Sequence, residues 1–414
     1  MNMEDFILSV CLAAKKASFE LARYDTAQKN KILEHIADEL INNSQKILNA
    51  NLQDLDNAKN KPSHYQDRLR LTQKRIQGIA DGVKEIIQLS DPIGEVLEQY
   101  KNKDNLNISK VRVPLGVVGI IYEARPNVTV DTAALCIKSG NAIILRGSRD
   151  AYHSNSALVQ IMKDAIKQAG GNPDIVGYID CSHEQAIGLM KANQYIDVLV
   201  PRGSEKLIQT VVQNSTIPVI ETGTGNCHVY IHSAADLDMA LNVAVNAKIS
   251  RPSVCNAAES LLIDESIYQE FLPKICQALV DNGVKIKGCP KTCSVFGECE
   301  PATEEDYYTE FLDYIISVKV VQDYNEAIDH INHYGTKHSE CIVTQDAKVA
   351  REFTNRVDAA AVYINASTRF TDGGVFGLGA ELGISTQKLH ARGPVGLKEL
   401  TSYKYVILGD GQVR

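Results

Sequence analysis

Val117-Val-Gly-Ile-Ile121, a helix-length segment over Asp131–Ser139 stopped by Gly140-Asn141, Ala142-Ile-Ile-Leu145 and then Arg146-Gly-Ser-Arg-Asp150 decide how this chain folds. The two apolar runs are too short for helices and carry β-branched residues, so they read as strands. A strand with no polar alternation is buried on both faces, which is the pattern of a parallel sheet covered by helices. The alternation continues outward. Ser156–Ala169 reads as a helix stopped by Gly170-Gly171, 176–179 as a strand and Glu184–Ala192 as a helix. Val198-Leu-Val200 is a strand, 205–213 a helix and Pro218-Val-Ile220 another strand. Strands alternating with helices predict a doubly wound α/β sheet, which takes ligands beyond the carboxyl ends of its strands. At two such ends stand Arg146-Gly147-Ser148-Arg149 and Arg202-Gly203-Ser204. Each precedes a helix whose N-terminus can hold a phosphate. Gly-Ser ahead of a helix is also ordinary capping chemistry, and no G-x-G-x-x-G is present. Two such turns in one sheet, both with arginine, point to a nucleotide phosphate.

Upstream, the first ninety residues read helical. Ile32, Leu33, Ile36, Ala37, Leu40 and Ile41 form one stripe, and Thr72 caps a helix that stops before Pro92. Residues 94–113 read as a hairpin, with Val96, Leu97 and Tyr100 before a polar tip and Ile108, Val111 and Val113 after it. Downstream, Val229-Tyr-Ile231, 316–321, 341–344 and 361–364 read as strands of a second α/β layer. Helices are expected over Ala235–Ala247, Ile267–Asp281, 325–333 and 346–355. The tail 366–393 is rich in glycine, and Tyr403–Leu408 reads as a final strand that pairs with the hairpin or with another subunit.

Ser250-Arg-Pro-Ser-Val-Cys-Asn-Ala257 holds the residue best suited to covalent chemistry. Arg251 puts a permanent positive charge near Cys255, Pro252 fixes a turn, and the strand around Leu261-Leu-Ile263 follows. A thiol at such a junction beside a cation is set up to ionise and to be reached. The competing reading is a small buried hydrophobe.

Composition sets limits. The chain has 414 residues, 44% of them hydrophobic, and a net charge of −8. That acidity argues against nucleic acid or an anionic membrane as partner. No apolar run approaches the roughly 20 residues of a membrane span. The ten cysteines show no CxxC pair, and a chain of this length needs no disulfides, so a reducing cytoplasm is expected. Cys289, Cys293 and Cys299 lack zinc spacing and a histidine pair, so no metal is expected.

The motifs together resemble the aldehyde dehydrogenase superfamily. Glu221, after the strand Pro218-Val-Ile220, and Cys255 downstream are similar to that family's Glu-Leu-Gly-Gly segment and nucleophilic cysteine. Tyr363-Ile-Asn365 is similar to its late strand ending in asparagine. The match is closest to the branch that reduces acyl phosphates in proline biosynthesis. It is carried by Pro114–Thr129, Glu221–His228, Arg251–Glu259, Tyr334–Glu340 and the tail from Thr368 to Gly396, and it covers nearly the whole chain. There are departures: Glu221-Thr-Gly-Thr stands for Glu-Leu-Gly-Gly, and Glu123-Ala-Arg-Pro-Asn127 stands for Trp-Asn-Phe-Pro.

The resemblance implies an aldehyde-dehydrogenase-like fold: a doubly wound cofactor domain (1–93 and 114–224), a catalytic domain (225–370), an oligomerisation arm (94–113 and 399–414) and a glycine-rich return segment (371–398). It implies NADPH-dependent reduction of L-glutamyl 5-phosphate to L-glutamate 5-semialdehyde with release of phosphate. Cys255 would be nucleophile, with Asn127 at the oxyanion and Glu221 nearby. Arg146, Gly147, Ser148, Arg149, Arg202, Gly203, Ser204 and Glu310 would hold the cofactor. Arg125, Arg251 and Asn365 would bind substrate. A homo-oligomer in the cytoplasm, receiving substrate from glutamate 5-kinase, completes the expectation. Two enzyme readings stay open beside it: an oxidising semialdehyde dehydrogenase using a Glu221-activated water, and a thiol acyltransferase or hydrolase pairing Cys255 with His228. A non-catalytic ligand-binding relative is the third.

Overall fold

The computed structural model describes residues 2–414, with Ser63 and His64 by backbone alone. It divides into two compact units. The first comprises Met1–Thr222, Gly377–Gly383 and Val395–Arg414, and the second Gly223–Phe376 and Ile384–Pro394.

In the first unit, helices Met3–Leu21, Thr26–Asn42, Ser44–Asn57 and Gln73–Gln88 precede the first strand. Asn2, Asp25 and Thr72 cap three of them by accepting a hydrogen bond from a first-turn backbone N–H. Ile32, Leu33, Ile36, Ala37 and Leu40 are buried along one face of their helix, as the 3.6-residue spacing requires. Strands β1 (Val96–Lys101) and β2 (Asn107–Pro114) form an antiparallel hairpin. Then β3 (Val117–Tyr122), β4 (Ala142–Arg146), β5 (Val176–Tyr178) and β6 (Val198–Arg202) form a parallel sheet in the order β5-β4-β3-β6. Every residue of β3 is buried. The strand order reverses between β3 and β6, so the crevice at their carboxyl ends is the place where such sheets bind ligands.

The second unit is a seven-stranded sheet in the order β10-β9-β11-β8-β7-β12-β13, and all its pairings are parallel. Its strands are β7 (Cys227–Ile231), β8 (Ala258–Asp264), β9 (Lys285–Gly288), β10 (Cys299–Pro301), β11 (Ile315–Val321), β12 (Ser339–Val343) and β13 (Ala361–Ile364). Alternate residues enter different cores. Val229, Ile231, Leu261, Ile263, Cys341 and Val343 pack on one face, and Tyr230, Leu262 and Ile342 on the other. Helices therefore cover both faces, which is why segments such as Val229–Ile231 and Leu261–Ile263 are apolar without alternation. A short pair, β14 (Ile384–Ser385) and β15 (Gly393–Pro394), completes this unit. At the chain's end β16 (Thr401–Leu408) pairs with β2, making a three-stranded sheet in the first unit.

Several expected elements differ. The helix expected from Asp131 begins at Pro126, because proline is tolerated in a first turn. Pro218–Ile220 makes only a bridge between Leu199 and Val219, since Pro218 brings no N–H to a ladder. The helix expected over 184–192 keeps only Ala186–Met190, which contains Gly188. The expectation of no disulfide is corrected at one pair. The helix Pro290–Val295 follows β9 and leads to β10, which pairs with β9, and this brings the Cys293 and Cys299 Cα atoms to 5.3 Å, where the thiols are bonded. Among the described residues no helix is long and apolar enough to cross a membrane.

Candidate active site

Cys255 lies on the loop that leads into β8, half-buried, while Cys227, Cys276 and Cys341 of the same unit are buried. Its backbone is pressed against the turn that leads into β7. A Cβ placed on Gly225 would fall 1.4 Å from the Cys255 carbonyl oxygen, so only glycine fits there. The Cys227 thiol donates to that same carbonyl at 3.2 Å. Burial, with the Glu340 charge behind it, pushes the Cys227 thiol well up. It therefore stays protonated as a donor and does not compete as a nucleophile. The turn itself is pinned. Gly225 N–H donates to Glu310 Oε1 at 2.6 Å, Asn226 N–H donates to Thr336 Oγ1 at 2.9 Å, and the Asn226 amide donates to the carbonyls of Tyr307 and Tyr334 at 2.7 and 2.9 Å. Glu310 is thus brought beside the Cys255 backbone through one glycine.

The next residue, Asn256, is buried and tied to the turn Thr368–Phe370. Its amide nitrogen donates to the carbonyls of Thr371 (2.9 Å) and Arg369 (3.3 Å). Its own carbonyl accepts from Thr368 Oγ1 at 2.7 Å, and its side-chain oxygen accepts from Arg369 Nη1. Burial first, and then the charge of Arg251, lower the Arg369 pKa, while Cys255 acts in the opposite direction. Arg251 itself is exposed.

The loop that carries Cys255 is held at both ends. Lys248, in the last turn of helix Leu237–Ile249, meets Glu259 of β8, and both are excluded from solvent. Asn365, expected to touch substrate, sits at φ 58° with its amide on Thr344: Oδ1 accepts from the Thr344 N–H and Nδ2 donates to the Thr344 carbonyl, both at 2.9 Å. His228, the partner a thiol hydrolase would need, is buried on β7 with Nδ1 3.0 Å from Glu340 Oε2.

In the first unit, Arg146 ends β4, buried, with Nη2 donating to the Cys181 carbonyl at 3.0 Å and a buried Nε that has no partner. Gly147 follows so closely under Tyr122 that a Cβ would lie 3.1 Å from its hydroxyl. Ser148 caps the next turn, and the mostly exposed Arg149 lies 3.6 Å from Asp180. This turn retains donors for an anion. The second turn differs. Glu123 already lies there, its carboxylate accepting from Ser204 N–H at 2.9 Å and from the Ser204 hydroxyl at 2.7 Å. A Cβ on Gly203 would collide with that carboxylate. Arg202 lies so close to Gly383 that a Cβ there would be 2.3 Å from Nη1. Asn127, at the start of helix Pro126–Lys138, donates to Asp131 Oδ2 at 2.9 Å. Desolvation pushes that carboxyl up to about 6, against the pull of Asn127 and of the Arg202 charge. Arg125 is exposed just before this helix, and Glu221 belongs to the same unit.

Sequence reasoning did not assign Arg369, Asn256, Asn226, Glu123 or the Lys248–Glu259 pair. Asn256 and Glu259 carried a signal, since both sit within the Cys255 motif. Arg369 had only its place in the glycine-rich tail to mark it.

The family model described as "Aldehyde dehydrogenase family" matches residues 4–288 and 303–406. A "Gamma-glutamyl phosphate reductase" of Carboxydothermus hydrogenoformans is 56% identical, covering 99% of this chain and all of the relative. One of Petrotoga mobilis is 52% identical over the full length of both. The crystal structure of gamma-glutamyl phosphate reductase from Thermotoga maritima superposes with a TM-score of 0.97 at 46% identity, covering 99% of each chain. With its sheets, its glycine-backed cysteine and this full-length likeness, the chain belongs to the aldehyde dehydrogenase family, among the gamma-glutamyl phosphate reductases.

Proposed function

We propose that this chain reduces L-glutamyl 5-phosphate to L-glutamate 5-semialdehyde with release of phosphate, the proline-biosynthesis step, using NADPH. The observation that carries the reading is Cys255: a half-buried thiol on a loop braced by Gly225, Cys227 and Asn256. An acyl phosphate is already activated, so a positioned thiolate suffices for the first step. Cys255 Sγ attacks the acyl carbon, the carbon–oxygen bond to phosphate breaks, and a thioester remains. The second amide hydrogen of Asn127, beside the one given to Asp131, is the donor an oxyanion role calls for.

The donor set of the first turn fits a dinucleotide phosphate: the unpartnered Arg146 Nε, Gly147 and Ser148 of the turn itself, and the outlying Arg149. Two arginines there suit a ribose 2′-phosphate, which is the ground for NADPH. Arg202, Gly203, Ser204 and Glu310 complete the proposed cofactor set, with Glu123 holding the Ser204 turn in order. When bound, the dinucleotide supplies hydride to the acyl carbon. Water is a competitor at that stage, so Glu221 is not assigned as a water-activating base. Arg251, Arg125 and Asn365 are proposed around the substrate, Asn365 chiefly by fixing the end of β13 against Thr344. The exposed Val96, Leu97, Tyr100, Tyr405, Ile407 and Leu408 of the β1-β2-β16 sheet are the proposed contact between copies of the chain. Hand-over of substrate from glutamate 5-kinase belongs to the same reading.

The test is the reverse reaction. Glutamate semialdehyde should reduce NADP only when inorganic phosphate is present, and Cys255→Ala should abolish this while leaving dinucleotide binding intact. Phosphate-independent turnover, or a Cys255→Ala rate above about a thousandth of wild type, would overturn the reading.

A further inference from the structure

We propose that Arg369 is the receptor for the phosphate group that leaves when Cys255 is acylated. This rests on the reading above and assigns a residue to one part of that site. Arg369 is fixed relative to the nucleophile by a reciprocal contact. Its Nη1 donates to the side-chain oxygen of Asn256, the residue following Cys255, and its own carbonyl accepts from the Asn256 amide at 3.3 Å. Thr368 and Thr371 add a bond each to Asn256, at 2.7 and 2.9 Å, so the guanidinium and the thiol-bearing loop move as one body. The guanidinium presents five donors in a planar fork. Its Nε is buried and has no partner.

A buried donor without a partner is costly unless something fills it. An anion is the filler that suits a guanidinium donor, and the charge of Arg251 adds to the positive field at Arg369. Asp372, the nearby carboxylate, already accepts from the backbone N–H groups of Gly374 and Val375 at 2.9 and 3.2 Å. The acyl phosphate brings the required charge to the required place. The phosphoester oxygen is bonded to the carbon that Sγ attacks. As the sulfur–carbon bond forms and the carbon–oxygen bond breaks, the electron pair goes to that oxygen, and a guanidinium donor meets the growing charge.

Two measurements test this with Arg369→Gln and Arg369→Lys. In the reverse reaction, Arg369→Gln should raise the KM for phosphate by about tenfold or more, the loss expected for one charge-assisted hydrogen bond, and shift the dinucleotide KM less than about twofold. Arg369→Lys, which keeps the charge, should fall between. Without turnover, inorganic phosphate should slow iodoacetamide alkylation of Cys255 in the wild type and have little effect in Arg369→Gln. Equal phosphate protection in both proteins, protection in neither, or an unchanged phosphate KM would overturn the assignment. A wild type with no phosphate-dependent reaction would instead remove the function proposed above.

Discussion

Lys248 Nζ and Glu259 Oε2 lie 2.5 Å apart with no solvent exposure on either side chain, and the loop between them carries Cys255. Glu259 also accepts from the Leu312 N–H at 3.2 Å. Burial lowers the Lys248 pKa and pushes the Glu259 carboxyl up to about 7, while each partner acts on the other in the opposite sense. Removing one charge strands the other. Glu259→Ala should cost about 3–5 kcal/mol of stability, whereas Lys248→Met with Glu259→Leu should recover most of it. Urea midpoints of the three proteins check this. A single variant as stable as the wild type would show that the pair is not an ion pair in the folded protein.

Arg146→Ala combined with Arg149→Ala should weaken NADPH more than NADH. The 2′-phosphate is the only charge that differs between them, and these side chains flank the turn, Arg146 with an unpartnered Nε and Arg149 with only a 3.6 Å approach to Asp180. Fluorescence titration with each nucleotide measures the ratio. Equal losses would assign the arginines to the shared pyrophosphate instead.

Glu221→Gln should slow the reductive reaction by less than about tenfold, roughly 1.4 kcal/mol of transition-state stabilisation. Hydride, not water, is delivered to the acyl carbon here, so a missing base removes only a side reaction. A fall on the order of a thousandfold with NADPH binding unchanged would mean that Glu221 activates Cys255 or protonates the product.

His338 should make the protein acid-labile. Burial holds its pKa at about 4, below the ordinary 6.5, and it is fully buried against Ser339 and Cys227. The unfolded chain therefore binds a proton between those values that the folded chain does not. Stability from this group is complete above 6.5 and falls as pH drops toward 4. The raised Glu259 and Asp131 act in the opposite sense, so the comparison is with His338→Asn, not with a flat line. The thermal midpoint of the variant should fall less than that of the wild type between pH 6.5 and 5. Parallel curves would refute a neutral buried histidine.

The parallel sheets were legible because both faces of each are covered, which makes β3, and Val229–Ile231 and Leu261–Ile263 within β7 and β8, apolar without alternation. Strands β9 and β10, at one end of the second sheet, were not, because Lys285–Gly288 and Cys299–Pro301 are short and polar and end in glycine and proline. Cys255 could be found from its motif. Arg369 could not be assigned, since its role depends on a contact with Asn256 across 113 positions of sequence. Glu123 at Ser204 is a similar case at 81 positions. A phosphate-like turn can be read locally, but the carboxylate already seated in it cannot.

The chain crosses between its two units at 222/223, 376/377, 383/384 and 394/395. This has a consequence for biosynthesis. Arg112 of β2 waits for Thr401 of β16, 289 positions later, which at ordinary ribosomal speeds is about 15–60 s. The second unit likewise needs β14 and β15, made near the end of the chain. Neither unit can finish while the polypeptide is still being extended, so a nascent chain halted before residue 377 should expose an open β2 edge and be cleaved by protease in both halves.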